Sequence, residues 1–124
     1  MTRQSVLVLS LIAIALTSTP GKAGQRQTEA QLKALIPGAT VDGKMADGGR
    51  GFVVTYHPDG RLSGKSGSAR DEGRWEIVSN QICFQWSQWR GAKRICLFLE
   101  KDGDGLYSSY FEDGIPSASG RYTQ

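Results

Sequence analysis

The sequence predicts a mainly β protein: about eight short antiparallel strands that form an up-and-down barrel or a strongly curved meander, preceded by one short N-terminal helix. Apolar and polar residues alternate in many short segments, and glycine-containing turns separate these segments at regular intervals. Closing such strands into a barrel leaves no open sheet edge. The clearest alternation lies in residues 73–99, which also contain all three tryptophans and both cysteines.

Residues 1–23 are predicted to be a secretory signal peptide. Arg3 precedes the apolar run Val6–Leu16, and the small residues Gly21 and Ala23 mark a cleavage site. The apolar run is shorter than the ~20 residues of a membrane-spanning helix, so we disfavour the alternative of an uncleaved anchor. We therefore predict a periplasmic or secreted protein, cleaved near Ala23, with no stable membrane anchor afterwards.

Removal of the signal peptide changes the charge of the protein. The whole chain has 15 basic and 12 acidic residues, a formal charge of +3. Because Arg3 and Lys22 leave with the signal, 15 basic residues become 13 and the net charge falls to +1. Nucleic-acid partners require a markedly basic surface, so this class of partner is not predicted. Residues 24–124 are predicted to form a single domain.

A short helix is predicted to begin that domain. The segment Thr28 to Gln31 fits a capping box, and Pro37 with Gly38 ends the helix after little more than two turns. So short a helix is stable only when its apolar face packs on a sheet. The residues of that face are Leu32, Leu35 and Ile36.

From residue 39 the pattern has a period of two and predicts strands. A weak strand is expected at 39–43, and the chain then alternates between strands and turns. The remaining expected strands are 52–57, 61–65, 74–78, 81–87, 93–100, 106–112 and 116–123, and residues 66–73 are expected to be a polar loop. Because a small eight-stranded barrel is nearly filled by its own side chains, we expect no large cavity. The large residues predicted to face inward are Phe52, Val54, Tyr56, Trp75, Ile77, Ile82, Phe84, Trp86, Ile95, Leu97 and Leu99.

The two cysteines are predicted to form a disulfide between two strands of a hairpin. A pair of cysteines in an exported protein is most simply a disulfide. Metal binding by Cys83 and Cys96 is the alternative, which lacks further ligands because His57 is the only histidine. If the cysteines lie opposite each other, antiparallel register matches further residues. These pairs are Ile82 with Leu97, Phe84 with Ile95, and Gln85 with Arg94.

No catalytic residue, cofactor or metal site is predicted. His57 precedes the proline of a turn, and Asp71 and Glu72 would point to opposite faces of any strand. The segment Asp102–Gly105 lacks the EF-hand spacing of ligands and is typical of a hairpin turn. An enzyme of unknown reaction therefore ranks third among the hypotheses.

A further segment, Ser66–Arg70, is either an ordinary loop or a backbone nest for an anion. Its small residues permit a nest, in which Lys65 and Arg70 would supply the charge. We favour the ordinary loop, because small residues are equally typical of loops. No helix follows the segment, so a nucleotide-binding loop is excluded.

The tip of the hairpin that the predicted disulfide joins is the predicted binding surface. Trp89, Arg90, Lys93 and Arg94 combine an aromatic ring with three cations, which would suit an acidic protein, a glycan or lipid headgroups. The alternative is that the Trp89 ring folds back over the mouth of the barrel with an arginine stacked on it. Trp86 is expected in the core.

The predicted domain resembles a class of small exported bacterial domains of unknown function. The resemblance implies a fold similar to lipocalins or periplasmic inhibitors, and no assigned activity. It is carried by Leu35–Gly38, Tyr56–Gly60, Gly73–Trp75, Cys83, Trp86, Cys96 and Asp102–Tyr110. Ser117–Thr123 is also faintly similar to a lysozyme-inhibitor signature.

Two functions follow from this interpretation. The sequence favours a non-enzymatic domain whose hairpin tip engages an envelope or extracellular protein, as an inhibitor or adaptor would. The alternative is a lipocalin-like carrier that holds a small apolar ligand inside the barrel.

Overall fold

The computed structural model describes residues 25–124, which form a closed barrel of eight antiparallel strands and one short helix. The predicted fold class is confirmed, with a closed barrel rather than a meander. Each strand pairs with its neighbours in sequence, and the first pairs with the last. The predicted signal peptide lies outside the described residues. The elements are α1 (Glu29–Leu35), β1 (Thr40–Met45), β2 (Gly51–Tyr56), β3 (Arg61–Ser66), β4 (Ala69–Val78), β5 (Gln81–Trp86), β6 (Arg94–Gly103), β7 (Leu106–Tyr110) and β8 (Pro116–Thr123).

The helix α1 covers one end of the barrel, which we call the closed end. The predicted capping box is present: the Gln31 backbone N–H donates to Thr28 Oγ1, and the Thr28 N–H donates to Gln31 Oε1. Leu32 and Ile36 are 0% exposed and belong to the barrel core. The Gln124 side chain donates to carbonyl oxygens at the end of α1, which ties the chain terminus to the helix. The β1–β2, β3–β4 and β5–β6 connections lie at the other end, the open end.

Strands β5 and β6 have the predicted register, and the disulfide is confirmed. Cys83 lies opposite Cys96 and is bonded to it. Both side chains lie on the outer face, so the inner face is left to apolar residues. The neighbouring pairs match the prediction: Ile82 with Leu97, Phe84 with Ile95, and Gln85 with Arg94. Such a disulfide is compatible with an oxidising, exported location.

Strand β4 begins earlier than expected. Residues 66–73 were expected to be a polar loop, but only Gly67 and Ser68 connect β3 to β4, and pairing resumes at Ala69. The polar sequence is compatible with a strand because its outward residues are solvated and its inward carboxylate, on Asp71, is hydrogen-bonded. Strand β1 likewise extends to Met45.

Candidate functional site

A cavity of about 640 Å³ lies inside the barrel and opens at the open end. We call it the barrel cavity. Its volume is within the range of about 300–1,000 Å³ that is typical of small-molecule sites. Its wall is mainly apolar and includes Val41, Phe52, Val54, Leu62, Ile82, Phe84, Leu97 and Leu99. Its mouth is formed by Met45, Asp47, Arg50, Trp89 and Arg90.

The expectation that side chains fill the barrel is wrong. The predicted inward residues pack on the core or line the cavity, apart from Ile95, which lies opposite Phe84. Part of the cavity wall, however, carries short side chains. Ser109 and Ser117 are buried there, and the Ser109 hydroxyl donates to the Ala118 carbonyl oxygen over 3.2 Å. The short residues are Ser109, Ser117, Ala118 and Gly120.

Two tyrosines lie deep in the cavity wall. Burial raises the pKa of Tyr56 above its ordinary value, and burial next to Tyr56 and Tyr107 raises the pKa of Tyr122 as well. The Tyr122 ring meets the Tyr107 ring edge-on, with 5.0 Å between the centroids. Both phenols are therefore neutral at ordinary pH, and the inner part of the cavity carries no charge from them.

One buried carboxylate fixes the β5–β6 connection at the mouth. Asp71 is only 9% exposed and faces inward from β4. Its Oδ2 accepts from the backbone N–H groups of Gln88 (2.9 Å) and Trp89 (2.8 Å). Its Oδ1 accepts from the Ser87 hydroxyl and from the Glu72 backbone N–H. The Asp71 side chain thus accepts three hydrogen bonds from this connection.

The hydrogen bonds determine the charge state of Asp71. Burial raises the pKa of this carboxyl, but the hydrogen bonds from Ser87, Trp89, Gln88 and Glu72 outweigh it and lower the pKa to about 2. Asp71 is therefore ionised at any physiological pH. Sequence reasoning missed this residue because it was assigned to a polar loop. The available signal was the alternation of Asp71 with Gly73, Trp75 and Ile77.

The indole of Trp89 folds over the mouth rather than into solvent. Its ring lies 4.8 Å from the ring of Trp86, centroid to centroid, and packs against the core. Both rings lean on β3 at Gly64, where a Cβ atom would lie 2.5 Å from Trp86 Cη2 and 2.7 Å from Trp89 Cζ3. Trp86 is buried, as predicted. Gly64 therefore provides the space in which the tryptophan pair sits.

The four predicted binding residues lie in different environments. Trp89 covers the mouth, and Arg90 lies at its rim with Nη2 3.7 Å from Met45 Sδ. Arg94 points along the outer face of the barrel and forms an ion pair with Glu76 at 2.7 Å. Lys93 is exposed. Only Trp89 and Arg90 contribute to the barrel cavity.

The turn Trp89–Ala92 has an unusual backbone. Arg90, Gly91 and Ala92 have φ values of 58°, 63° and 56°, a left-handed conformation in which non-glycine residues are strained. The hydrogen bonds from this connection to Asp71 and from the Gln85 side chain to the Ala92 carbonyl oxygen hold it in place. A third non-glycine residue with a positive φ, Ser79 (53°), lies in the β4–β5 turn at the closed end, so two of these three residues are at the mouth.

His57 lies at the closed end, away from the mouth. Its Nε2 is 2.9 Å from the Ser63 hydroxyl, and its carbonyl oxygen accepts from Trp75 Nε1. Among residues 25–124, no group of three or more His, Cys, Asp or Glu side chains is arranged to hold a metal ion. The polar and aromatic groups at the cavity mouth are the guanidinium groups of Arg50 and Arg90, the carboxylate of Asp47 and the indole of Trp89.

No protein-family model, curated protein or solved structure matches this chain. In the described range 25–124, no helix is long and apolar enough to span a membrane.

Proposed function

We propose that this protein binds a small apolar ligand inside the barrel. The supporting observation is the barrel cavity itself, about 640 Å³ in volume, lined by aliphatic and aromatic side chains and open at one end. The sequence favoured the hairpin tip over this alternative because it predicted a filled barrel. The cavity removes that objection.

The arrangement at the mouth suits a site that exchanges its ligand with solvent. An apolar ligand gains free energy by leaving water, in proportion to the apolar area that it buries. The Trp86–Trp89 pair borders the cavity and would add aromatic contact to a bound molecule. Both indoles therefore also serve as reporters, because their fluorescence depends on what fills the space beside them.

The test is binding of the neutral apolar dye N-phenyl-1-naphthylamine, with a cavity-filling variant and its matched control. Ser109→Phe places a ring inside the cavity, while Ser108→Phe places the same ring on the outer face of the same strand. We expect the dye to bind the wild type and Ser108→Phe, and to lose most of its affinity for Ser109→Phe. Equal binding to the two folded variants would place the dye elsewhere and overturn the proposal.

A second candidate function is the engagement of a protein by the hairpin tip. The specific observation is the strained turn that presents Arg90. Arg90 and Lys93 form no ion pair with a carboxylate within residues 25–124. The test is capture of a single envelope protein by the wild type, with loss of capture in Arg90→Ala and Lys93→Ala. Unchanged capture in both variants would exclude the tip.

A further inference from the structure

A second cavity, of about 760 Å³, lies on the outside of the barrel near the open end. We call it the outer cleft. Arg50 from the β1–β2 connection, Lys65 from β3 and Arg70 from β4 contribute to it, and the hydroxyl-bearing turn residue Ser68 lies between the last two. Asp42 is the one carboxylate among its described lining residues. The cleft therefore has an excess of positive charge.

The outer cleft and the barrel cavity share a wall where β2 and β3 separate. The last paired residues of these strands are Val53 and Lys65. Beyond them the strands are linked by the Ser66 hydroxyl, which donates to the Gly51 carbonyl oxygen over 2.7 Å. Four residues line both cavities: Arg50, Phe52, Ser66 and Ala69. The two cavities therefore adjoin at this part of the rim.

Two of the cations in the cleft repel each other. Lys65 and Arg70 lie directly opposite each other on adjacent strands, an arrangement in which like charges destabilise a sheet. Neither they nor Arg50 forms an ion pair with any carboxylate of residues 25–124. A bound anion would relieve this repulsion, and guanidinium groups bind phosphate oxygens in pairs.

Strands β3 and β4 contain a second pair of opposed cations, with which the pair in the cleft can be compared. Arg61 and Arg74 also lie opposite each other, lower on the barrel. There the repulsion is offset, because Arg61 forms an ion pair with Asp59 at 2.7 Å. The pair in the cleft differs in having an adjoining concave space and a third cation instead of a carboxylate partner.

We propose that the ligand is an anionic amphiphile whose alkyl chain occupies the barrel cavity and whose phosphate headgroup binds in the outer cleft to Arg50, Lys65 and Arg70. This inference rests on the proposed function for the chain-binding part. A phosphomonoester carries close to two negative charges at neutral pH, which matches three cations and one nearby aspartate. The shared wall at Phe52 is where the chain passes from one cavity to the other.

The experiment compares two probes that differ only in the phosphate. Myristoyl lysophosphatidic acid and monomyristoylglycerol are titrated into the full mature protein below their micelle concentrations, in competition with the neutral dye. Loss of one charge-assisted hydrogen bond weakens binding by roughly tenfold. We therefore expect the phosphate-bearing probe to bind at least about tenfold more tightly than the neutral one, with a preference that weakens as salt is added.

The charge variants assign that preference to the cleft. Lys65→Gln/Arg70→Gln should remove the preference and leave the affinity for monomyristoylglycerol unchanged. Arg61→Gln/Arg74→Gln removes the same charge from the same strands and should keep the preference. If the first double variant does not fold, Arg70→Gln alone serves in its place, because Arg70 is exposed and contributes to the outer cleft but not to the barrel cavity.

The outcomes separate the two proposals. Equal affinity for both probes would overturn the headgroup assignment and leave the apolar site intact. Failure of both probes to displace the dye would overturn the chain-binding part as well. Displacement of lysophosphatidic acid by inorganic phosphate at comparable concentration would show that the cleft recognises a free anion rather than an amphiphile, and would also overturn the assignment.

Discussion

Replacement of Asp71 by asparagine tests whether one carboxylate holds the mouth of the barrel together. The carboxylate accepts four hydrogen bonds, two of them from the backbone N–H groups of Gln88 and Trp89. Asparagine preserves the shape of the side chain but replaces one accepting oxygen by an NH₂ group, which then faces a donor. We expect the β5–β6 connection to loosen and the protein to lose stability.

The expected loss of unfolding free energy in Asp71→Asn follows from the pKa of Asp71, because protonation and amidation remove the same charge. The hydrogen bonds hold this pKa at about 2, against an ordinary value of 3.8. That difference corresponds to about 1–2 kcal/mol of unfolding free energy, once solvent screening at the mouth is taken into account. For a domain of this size, Asp71→Asn should lower the melting temperature by roughly 5–15 °C at neutral pH.

The pH dependence has a definite sign. Because the folded-state pKa lies below the unfolded-state value, the carboxylate stabilises the fold above its ordinary pKa, and this stabilisation is lost as the pH falls through about 2. The difference between wild type and Asp71→Asn should therefore be constant above about pH 5 and should shrink from about pH 4 downward. Thermal unfolding followed by near-UV circular dichroism measures this difference in stability.

The matched control is Glu72→Gln, the next residue on the same strand, whose side chain lies on the outer face. It removes the same charge without touching the hydrogen bonds from the connection. Equal melting temperatures for Asp71→Asn and Glu72→Gln at neutral pH would refute the reasoning. So would a difference from wild type that persists undiminished near pH 2.

Three further predictions concern the disulfide, the Trp86–Trp89 pair and the phenol of Tyr122. Cys83→Ser/Cys96→Ser should lower the unfolding free energy by about 3 kcal/mol, since it releases a loop with a sequence separation of 13 residues. Gly64→Val should cost about 1–3 kcal/mol and shift tryptophan emission to longer wavelength, because the new side chain displaces both indoles; Gly103→Ala, which meets no atom closer than 3.8 Å, is its control. Because burial raises the pKa of Tyr122, its neutral form stabilises the fold below the unfolded-state pKa near 10, and this contribution is lost as the pH rises above that value. Tyr122→Phe should therefore move alkaline unfolding, measured by tyrosinate absorbance, to higher pH.

Each of these predictions has a contradicting result. An unchanged unfolding free energy after removal of the disulfide would mean that the bond does not restrict the unfolded chain as the loop-entropy argument requires. Wild-type emission in Gly64→Val would mean that the indoles do not depend on the space at that glycine. Tyrosinate absorbance that rises fully before unfolding would show that the phenols are accessible in the folded state.

The fold could be predicted largely because its determinants are local. Turn residues and a period of two identified the strands, and a single constraint, the opposition of Cys83 and Cys96, set the register of the central hairpin. The error at residues 66–73 arose because sequence polarity was taken as evidence against a strand. Asp71 is polar and inward, and what satisfies it is a connection 17 residues away in sequence. No local pattern shows such a partner.

The candidate site was less predictable because its volume is a property of the closed barrel. Large inward residues such as Phe84 and Trp86 were recognised individually, and they suggested a filled interior. The space arises beside the short inward residues Ser109 and Ser117, and the cavity is enclosed only after β1 pairs with β8. The position of Trp89 depends on the same long-range geometry, since its ring rests on Gly64 of β3.

The disulfide and Asp71 stabilise different parts of the β5–β6 hairpin. Below the mouth, the Cys83–Cys96 bond and the last ladder pair, Gln85 with Arg94, keep β5 and β6 together. Above them, residues 87–93 depend mainly on the carboxylate of Asp71, and part of this segment is in a strained conformation. We expect opening of this segment to cost less free energy than global unfolding, because the disulfide and the β5–β6 pairing do not depend on it. Under the proposed function, we expect a ligand to exchange through the mouth while the strands around the cavity stay in register.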